Sequence, residues 1–588
     1  MIAQHTTRRL FARLRGAVRS DEVWLTLVAT CLGAMAGALV GGLNMLAQEA
    51  HEILFALPPG QRLSAMVAIS PWRALLVPST GGVLIGAATW YFSRVRPTRA
   101  VDPIEANALY GGHMSLNDSL VMIGQILLSN ACGASVGLEA GYTQMGGAIG
   151  SRLGRAFGVR RRDLRLLVGC GAAGAIASAF NAPLTGAFYG FELVIGSYAL
   201  NSLAPVVSAA IAATIVSQKL FISGASFAPS MPAQLRPTDF ALVLALGFVA
   251  ALAGIGIMRA VSFAETVFKF ARVPVFARPG VGGLLVGALA FVTPAVMSGG
   301  HGAMRLTFGQ ALPFSVLAAL FVFKACASAI SLGAGFRGGL FFASLLLGSL
   351  LGKMFSAATL LLPPAWIATS VLPEPVYALI GMSALATAII GGPLTMTFLA
   401  LESTASLPLA SVVLAASVVS SLTVRRLFGY SFATWRFHLR GETIRSAADI
   451  GWIRTLTVDS MMRRDLACVV QSETLDGFCA KFPLGSTNRV VVVDDNAHYA
   501  GIVWLAEAHS PHPAGTSVGD IMHRVVSVLY PVLTVKDAID IFADAGADAL
   551  AVVESSKNPR VLGLLNEHYA LRRYSEELDK HRRDLSGE

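Results

Sequence analysis

The stretch Pro183-Leu-Thr-Gly-Ala-Phe-Tyr-Gly-Phe-Glu192 returns later in the chain as Pro393-Leu-Thr-Met-Thr-Phe-Leu-Ala-Leu-Glu402. Both copies step nine residues from proline to glutamate. A second pair of glycine-rich segments, at Gly141 and at Gly339, precedes the two copies in the same order. Two ordered matches indicate one duplicated unit. Membrane transport folds built from two such halves, often inverted, place their substrate site near the membrane midplane at broken helices.

The composition places this duplicated unit in a membrane. Of 588 residues, 54% are hydrophobic and only 14% are charged, with a mean hydropathy of +0.63. Shorter apolar runs are broken by Gly and Pro, which predicts re-entrant helices, because lipid cannot satisfy loose backbone. We therefore predict an all-α polytopic membrane domain over 21–440, with an inverted repeat of halves at about 22–202 and 238–428. Stretches close to the ~20 residues of a spanning helix lie at Trp24–Ala47, Ala74–Val95, Leu167–Leu193, Phe240–Ile257, Pro313–Leu332, Tyr377–Leu401 and Ala410–Val424.

Both ends of the chain differ from this apolar part. Segment 1–20 carries five arginines and no acid. This pattern predicts an amphipathic stretch on the cytoplasmic face of a bacterial inner membrane. The net charge of +10 is assigned to this positive-inside pattern and not to nucleic-acid binding. The composition turns polar near Arg436–Arg445, which predicts a cytoplasmic α/β domain. Six scattered cysteines indicate neither a metal site nor a disulfide framework.

The polar part also repeats itself. Val458-Asp-Ser-Met461, followed by a strand and a glycine, recurs sixty residues later as Val518-Gly-Asp-Ile521 with the same followers. Tandem strand, helix and strand units of this length resemble a CBS pair. We predict this pair at 455–570, followed by a polar tail at 571–588.

A charge within an apolar membrane segment costs roughly 2.5–3.5 kcal/mol, so it indicates function first. Three glutamates qualify, namely Glu139, Glu192 and Glu402. Glu139 lies in Gly133-Ala-Ser-Val-Gly-Leu-Glu-Ala-Gly-Tyr-Thr-Gln144, which predicts a helix start in the membrane. The free N–H groups of a helix start bind anions, and a carboxylate there can take the anion's place and leave when protonated. The alternative is a glutamate that only caps its own helix.

A mirrored helix start is predicted in Gly333-Ala-Gly-Phe-Arg-Gly-Gly-Leu-Phe-Phe342, where no acid is present. Its N–H groups are expected to face a bound anion. The alternative is close helix packing through small residues. For Glu192 and Glu402, which occupy matching repeat positions, we favour a structural role as charges paired at the cytoplasmic or dimer side.

The order of these motifs resembles the CLC family of anion channels and transporters over nearly the whole chain. The resemblance implies a homodimer with a separate anion pore in each subunit. Gly137-Leu-Glu139-Ala-Gly141 is similar to the family's Gly-Arg-Glu-Gly-Pro motif, so Glu139 falls on the gating glutamate and Gly137, Leu138 and Gly141 on its anion-binding frame. Gly339-Leu-Phe341 is similar to the family's Gly-x-Phe-x-Pro motif, which makes the N–H groups of Leu340 and Phe341 anion ligands.

The chain departs from the family pattern at several positions. Leu138 replaces an arginine, which removes an outer positive charge, and Gly141 replaces a proline. The family's anion-binding serine falls at Gly111 and its pore tyrosine at Ala433. With both hydroxyls missing, we expect a wider, wetter inner pore.

Leu193 occupies the position at which the family's exchangers carry a proton-relay glutamate. Without an acid there, we predict a passive chloride channel gated by Glu139, with a proton-coupled chloride exchanger as the alternative. An intramembrane metalloprotease is disfavoured because His51-Glu52-Ile-Leu-Phe55 lacks the second histidine. A cation transporter would be expected to carry more membrane acids. Because the metalloprotease motif is incomplete, the protein is not expected to be an enzyme. Its expected partners are chloride, lipid and a second copy of the chain.

CBS pairs often bind adenine nucleotides through an acid that follows Gly-x-x-Ser/Thr. The corresponding stretches here, Gly501-Ile-Val-Trp504 and Gly563-Leu-Leu-Asn566, lack the hydroxyl. We therefore predict no cofactor and a structural role in dimerisation, with nucleotide regulation as the alternative.

Overall fold

The computed structural model describes residues 22–95, 99–221, 235–361, 372–438, 456–513, 515–523, 527–556 and 558–586. The segment predicted at 1–20 lies outside these ranges. The chain divides into two units, Met1–Asp449 and Ile450–Glu588. The first is helical and the second contains all five described strands.

The described α-helices of the first unit, apart from one at its end, form two series of eight that match one to one in order. Each series begins with its longest helix and has a short helix at its third place. The first series ends at Leu220, beyond the predicted end of the first half at 202. The first series is α1 Glu22–Phe55, α2 Pro71–Val95, α3 Pro103–Leu109, α4 Leu116–Ala131, α5 Glu139–Phe157, α6 Arg161–Phe180, α7 Pro183–Tyr189 and α8 Leu200–Leu220. The second is α9 Asp239–Phe270, α10 Arg278–Val292, α11 His301–Gly309, α12 Phe314–Ala334, α13 Phe341–Thr359, α14 Glu374–Ile390, α15 Pro393–Thr404 and α16 Leu407–Leu427, after which α17 covers Phe432–His438.

Within the described residues, eight helices are long and apolar enough to cross a membrane. Two stretches that the sequence predicts as single spans are broken instead. Leu167–Leu193 turns at Asn181, whose φ is 55°, and Tyr377–Leu401 turns at Gly391, whose φ is 94°. A proline begins the next helix in both cases, because its fixed φ and missing N–H suit a first helical position. The second of each pair, α7 or α15, is too short to cross alone.

The two proline-started helices are capped by glutamates from opposite halves. Glu402 accepts hydrogen bonds from the backbone N–H groups of Leu184 and Thr185 at 2.7 and 2.8 Å, and from the Thr185 hydroxyl at 2.7 Å. Glu192 accepts the matching three hydrogen bonds from Leu394 and Thr395, at 2.9, 2.8 and 2.6 Å. The two glutamates are therefore structural, as predicted, but they bind helix starts and not each other.

Glycines bring the matching helix pairs into close contact. An ideal Cβ on Gly146 of α5 would lie 2.1 Å from the carbonyl oxygen of Gly171 on α6. The same crossing of α13 and α14 places such a Cβ on Gly348 at 2.4 Å from the carbonyl oxygen of Gly381. Because no side chain fits, the small residues fix both helix pairs at equal places in the two halves.

The second unit repeats a smaller motif. Strands β1 Cys468–Val470, β2 Arg489–Val493 and β3 Tyr499–Trp504 form one sheet, with β1 parallel to β2 and β2 antiparallel to β3. Strands β4 Ala549–Val553 and β5 Val561–Asn566 pair antiparallel in a second sheet. The helices are α18 Val458–Met461, α19 Leu475–Lys481, α20 Leu505–Ala508, α21 Val518–Ile521, α22 Val535–Ala545 and α23 Glu567–Ser586.

The two motifs of this unit cross-pair at their helix caps. Thr457 bridges to Thr534 and Thr474 bridges to Ser517, so each cap of one motif meets the non-equivalent cap of the other. This arrangement is that of a CBS pair with internal two-fold symmetry. The stretch predicted as a polar tail is helical through Ser586, because it continues α23.

Glu402→Ala is expected to destabilise the folded protein by roughly 1–3 kcal/mol, because it strips two backbone N–H groups and one hydroxyl of a charged acceptor. Glu192→Ala should cost a similar amount, since its contacts are equivalent. Thermal unfolding in detergent would measure both. Glu49→Ala, at an exposed position on α1, is the control, and an equally small loss in all three variants would contradict the reciprocal capping.

Candidate anion pathway

Two helix starts, one from each half, are joined at their backbones. The N–H of Gly137 donates to the carbonyl oxygen of Gly339 at 2.9 Å, and the N–H of Gly339 donates to that of Gly137 at 3.2 Å. Two residues later, α5 begins at Glu139 and α13 begins at Phe341. The two helices therefore start side by side at matching positions of the repeat.

Glu139 turns its side chain onto this junction and is only 3% exposed. Its carboxylate accepts hydrogen bonds from its own backbone N–H and from that of Phe342, in the first turn of α13. Its Oε2 atom accepts no hydrogen bond from the described part of the chain. An ideal Cβ on Gly137 would lie 1.9 Å from Oε2, so the carboxylate occupies the space that a side chain there would need. The acid thus binds one N–H group of the other half and does not only cap its own helix.

A buried lysine faces the same junction. Lys324 of α12 is 1% exposed, and its Nζ donates to the carbonyl oxygens of Val296 at 3.1 Å and Ser298 at 2.7 Å. An ammonium has three N–H donors, so these two carbonyl groups leave one. Lys324 and Glu139 lie within electrostatic range of each other. The junction therefore has a positive charge close by.

Further basic side chains gather on the side of Leu138. The His301 ring stacks on Phe342 with its centroid 3.5 Å away, and Arg62, Arg305 and His51 act electrostatically on His301. His51 is itself buried and bonds to the carbonyl oxygen of Asn130 at 2.8 Å. Leu138, His51, Arg62 and His301 line one small pocket there. Although Leu138 carries no charge, the guanidinium groups of Arg62 and Arg305 make this side attractive to anions.

A cavity of about 640 Å³ opens on the other side of the junction. Glu139, Leu340 and Phe341 line its inner end, and the ring of Phe341 lies between Phe180 at 4.7 Å and Tyr189 at 6.1 Å, measured between ring centroids. Charged groups along the walls include both signs. They are Arg99, Asp102, Glu105, Asp118, Arg337 and Arg436.

The structure separates the predicted anion-binding residues into two groups. Leu340, Phe341 and Ala433 line the cavity, as does Leu193. The first N–H groups of α13, at Leu340 and Phe341, have no partner within their own helix. These positions are therefore suited to hold an anion next to Glu139.

The other predicted positions do not line the cavity. The N–H of Gly137 is bound to Gly339, Gly141 packs against Ile126 of α4, and Leu138 faces the basic pocket. The placement of Gly111 is wrong, because this residue follows the C-terminal end of α3 and lies against Arg161. The cavity wall is formed instead by the residues before α3, Ala100 and Asp102.

Sequence reasoning missed Lys324, Asp102 and Tyr189. Lys324 is the only charged residue between Arg305 and Arg337, so the rule that found the glutamates would also have found this lysine. Asp102-Pro103 has the form of a helix start, with an N-cap followed by proline. Tyr189 had no signal in the sequence, because its place at the cavity depends on the break between α6 and α7.

The comparison with known proteins agrees with this arrangement. A model of the family described as voltage gated chloride channel matches residues 81–425, more than half of the chain. This chain belongs to the CLC family. A CBS domain model also matches residues 518–576, which contain the second motif of the second unit.

Relatives and solved structures cover most of the membrane unit. A putative chloride channel protein ClcB-like from Ralstonia nicotianae is 35% identical over 354 residues, 59% of this chain and 81% of the relative. The voltage-gated ClC-type chloride channel ClcB of Escherichia coli is 29% identical over 407 residues, 68% of this chain and 96% of the relative. The crystal structure of a slow cyanobacterial Cl⁻/H⁺ antiporter has a TM-score of 0.60 at 22% identity, covering 71% of this chain and 98% of that one. The structural likeness shows that this chain has the CLC fold.

Lys324→Met is expected to lower chloride flux roughly tenfold, which corresponds to about 1.4 kcal/mol of lost anion stabilisation. The physical reason is the loss of the buried positive charge at the junction. Flux from proteoliposomes would measure the effect. Lys353→Met is the matched control, because Lys353 is also buried, 2% exposed, but pairs with Glu374 at 3.0 Å away from the junction. Equal losses in both variants would contradict a special role for Lys324.

Proposed function

We propose that this chain carries chloride across the membrane along a pathway that the Glu139 side chain closes and opens. The observation that supports it is the hydrogen bond from the Phe342 N–H to the Glu139 carboxylate, at the inner end of a large cavity. A helix-start N–H binds chloride as readily as it binds a carboxylate. When Glu139 is protonated, it loses its charge, and chloride takes over the N–H groups. The two relatives described above, both named as chloride channels, are consistent with this proposal.

Transport can be passive or coupled to protons, and each mode has a supporting observation. Leu193 lines the cavity and offers no acid, which favours passive conduction. Asp102 lines the same cavity and does offer an acid, which favours proton-coupled chloride exchange as the second candidate. The CLC fold is compatible with either mode.

The assembly and location are proposed from the family. We infer a homodimer with one pathway in each subunit, in a bacterial inner membrane, with both termini in the cytoplasm. The outer faces of α8 and α16, at matching positions of the repeat, carry exposed apolar side chains suited to a partner within the membrane. They include Leu203, Ile211, Ile215, Leu407, Val418 and Leu422.

Glu139→Gln keeps the shape of the side chain but cannot ionise, so chloride flux in this variant should no longer rise as the pH falls. The native protein should conduct more at acid pH, because protonation frees the N–H groups. Gly137→Ala should likewise weaken the pH dependence of the flux. The Cβ of the alanine would lie 1.9 Å from Oε2 and displace the carboxylate from the N–H groups. Chloride efflux from liposomes at several pH values would measure all three.

Gly124→Ala is the control for the added methyl group, because nothing lies within 4 Å of a Cβ at this glycine. Flux in Glu139→Gln that varies with pH as in the native protein would remove Glu139 from the gate. The absence of chloride flux in the native protein would overturn the proposed function.

The CBS pair is expected to bind no adenine nucleotide. The hydroxyl positions hold Trp504 and Asn566, and the carboxylate of Glu507 already pairs with His523 at 2.6 Å. Calorimetry of the intact protein with ATP, ADP and AMP should give no binding heat. A saturable heat that Glu507→Gln abolishes would show instead that the pair is a nucleotide sensor.

A further inference from the structure

Two hydroxyl groups lie on the wall of the cavity that Glu139 lines. Thr143, one turn along α5, places its Oγ1 at 3.2 Å from the carbonyl oxygens of Glu139 and Ala140. The hydroxyl of Tyr189, from α7, hydrogen-bonds with the Thr143 side chain. Both residues line the cavity together with Glu139. The wall that Glu139 shares with Thr143 and Tyr189 thus carries two hydroxyls, each of which can accept and donate a proton.

A further acid lines the cavity near these two hydroxyls. Asp102 lines the same cavity, and its Oδ1 accepts the N–H of Ile104 at 2.8 Å. The Tyr189 hydroxyl is within electrostatic range of both Asp102 and Glu139. Tyr189 therefore lies near both carboxylates, in the cavity that all three line.

The other acids near the cavity are less suited to exchange protons with Tyr189. Glu105 is 1% exposed and forms an ion pair with Arg99. Glu192 uses both oxygens to cap α15. Asp118 lines the cavity but, like Glu105, is not among the groups that act on Tyr189. Among the described acids, Asp102 is the one placed to pass a proton to this tyrosine.

We propose that Asp102 is the inner proton acceptor of the pathway and that the Tyr189 and Thr143 hydroxyls pass the proton between Asp102 and Glu139. This inference rests on the proposed function in its exchange form. In each transfer, a hydroxyl oxygen receives one proton and releases its own, so Asp102 loses a proton, Glu139 gains one, and the hydroxyls end unchanged. Asp102 takes the place of the acid that Leu193 does not supply.

The route lies within a cavity whose charge is mixed. In this proposal, the arginines supply the positive charge that chloride needs, while Asp102 and Glu139 serve the proton, so both ions use one space but different groups. The charged side chains that face this cavity besides Asp102 and Glu139 are Arg99, Glu105, Asp118, Arg337 and Arg436.

The test measures chloride and proton movement together in liposomes that contain the full chain. A chloride gradient should drive protons uphill in the native protein. Asp102→Asn should lower this proton movement by about a hundredfold, the scale of a lost proton-transfer group, while chloride still flows. Tyr189→Phe and Thr143→Val should each slow it, and Asp118→Asn, which removes a carboxylate from the same cavity, should leave it near the native rate.

Folding is controlled in the design, because asparagine caps a helix as well as aspartate does and so preserves the start of α3. Coupled proton movement that survives in Asp102→Asn would overturn the inference. Chloride flux without any coupled proton movement in the native protein would also overturn it and leave the passive mode of the proposed function standing. Absence of chloride flux would instead be the failure of the proposed function itself.

Discussion

A helix that starts within a membrane exposes backbone N–H groups that lipid cannot satisfy, and this constraint organises the membrane unit. Three glutamates meet it, each by reaching into the opposite half. Glu402 caps α7, Glu192 caps α15, and Glu139 binds the first turn of α13. The three isolated glutamates of the sequence therefore make the same kind of contact, a carboxylate that accepts hydrogen bonds at a helix start of the opposite half.

The three contacts differ in how completely each carboxylate is bound. Glu192 and Glu402 use both oxygens in three hydrogen bonds each, so their release would leave several groups unpaired. Glu139 leaves Oε2 without a hydrogen bond from the described residues. It also has Lys324 nearby, whose charge favours any anion in its place. The same interaction is thus more fully bonded at Glu192 and Glu402 than at Glu139, where the proposed function requires it to exchange with an anion.

The fold was largely predictable, because the Pro-Leu-Thr repeat and the apolar composition are local signals that survive without coordinates. The breaks at Asn181 and Gly391 were hidden by the apolar composition of the two long stretches, although Asn181-Ala-Pro183 and Gly391-Gly-Pro393 are signals for a turn. Of the site, Glu139 followed from its glycine-rich helix start, whereas Leu340 and Phe341 were identified only through the resemblance to the family's Gly-x-Phe-x-Pro motif. Gly111 was misplaced because a short glycine pair resembles a motif without sharing its position.

Residues that meet only in three dimensions lay beyond the sequence. Leu138 suggested the loss of a positive charge beside Glu139, but basic groups come from distant segments, namely Lys324, Arg62 and Arg305. Likewise, Leu193 suggested the loss of an inner acid, whereas Asp102 reaches the same cavity from the start of α3. The absence of a charged side chain at one aligned position does not show that the site lacks the charge, because another helix can supply it to the same cavity.

The chemistry of the pathway depends on where the two halves differ. Gly137-Leu-Glu139 and Gly339-Leu-Phe341 share spacing and backbone pairing, but only the first carries an acid. Two carboxylates at one junction would repel each other, and both helix starts would be occupied. Two phenylalanines would leave the N–H groups without any competitor for an anion. In the proposed pathway, one acid opposite one acid-free helix start lets Glu139 and chloride compete for the same donors, which is what a protonatable gate requires.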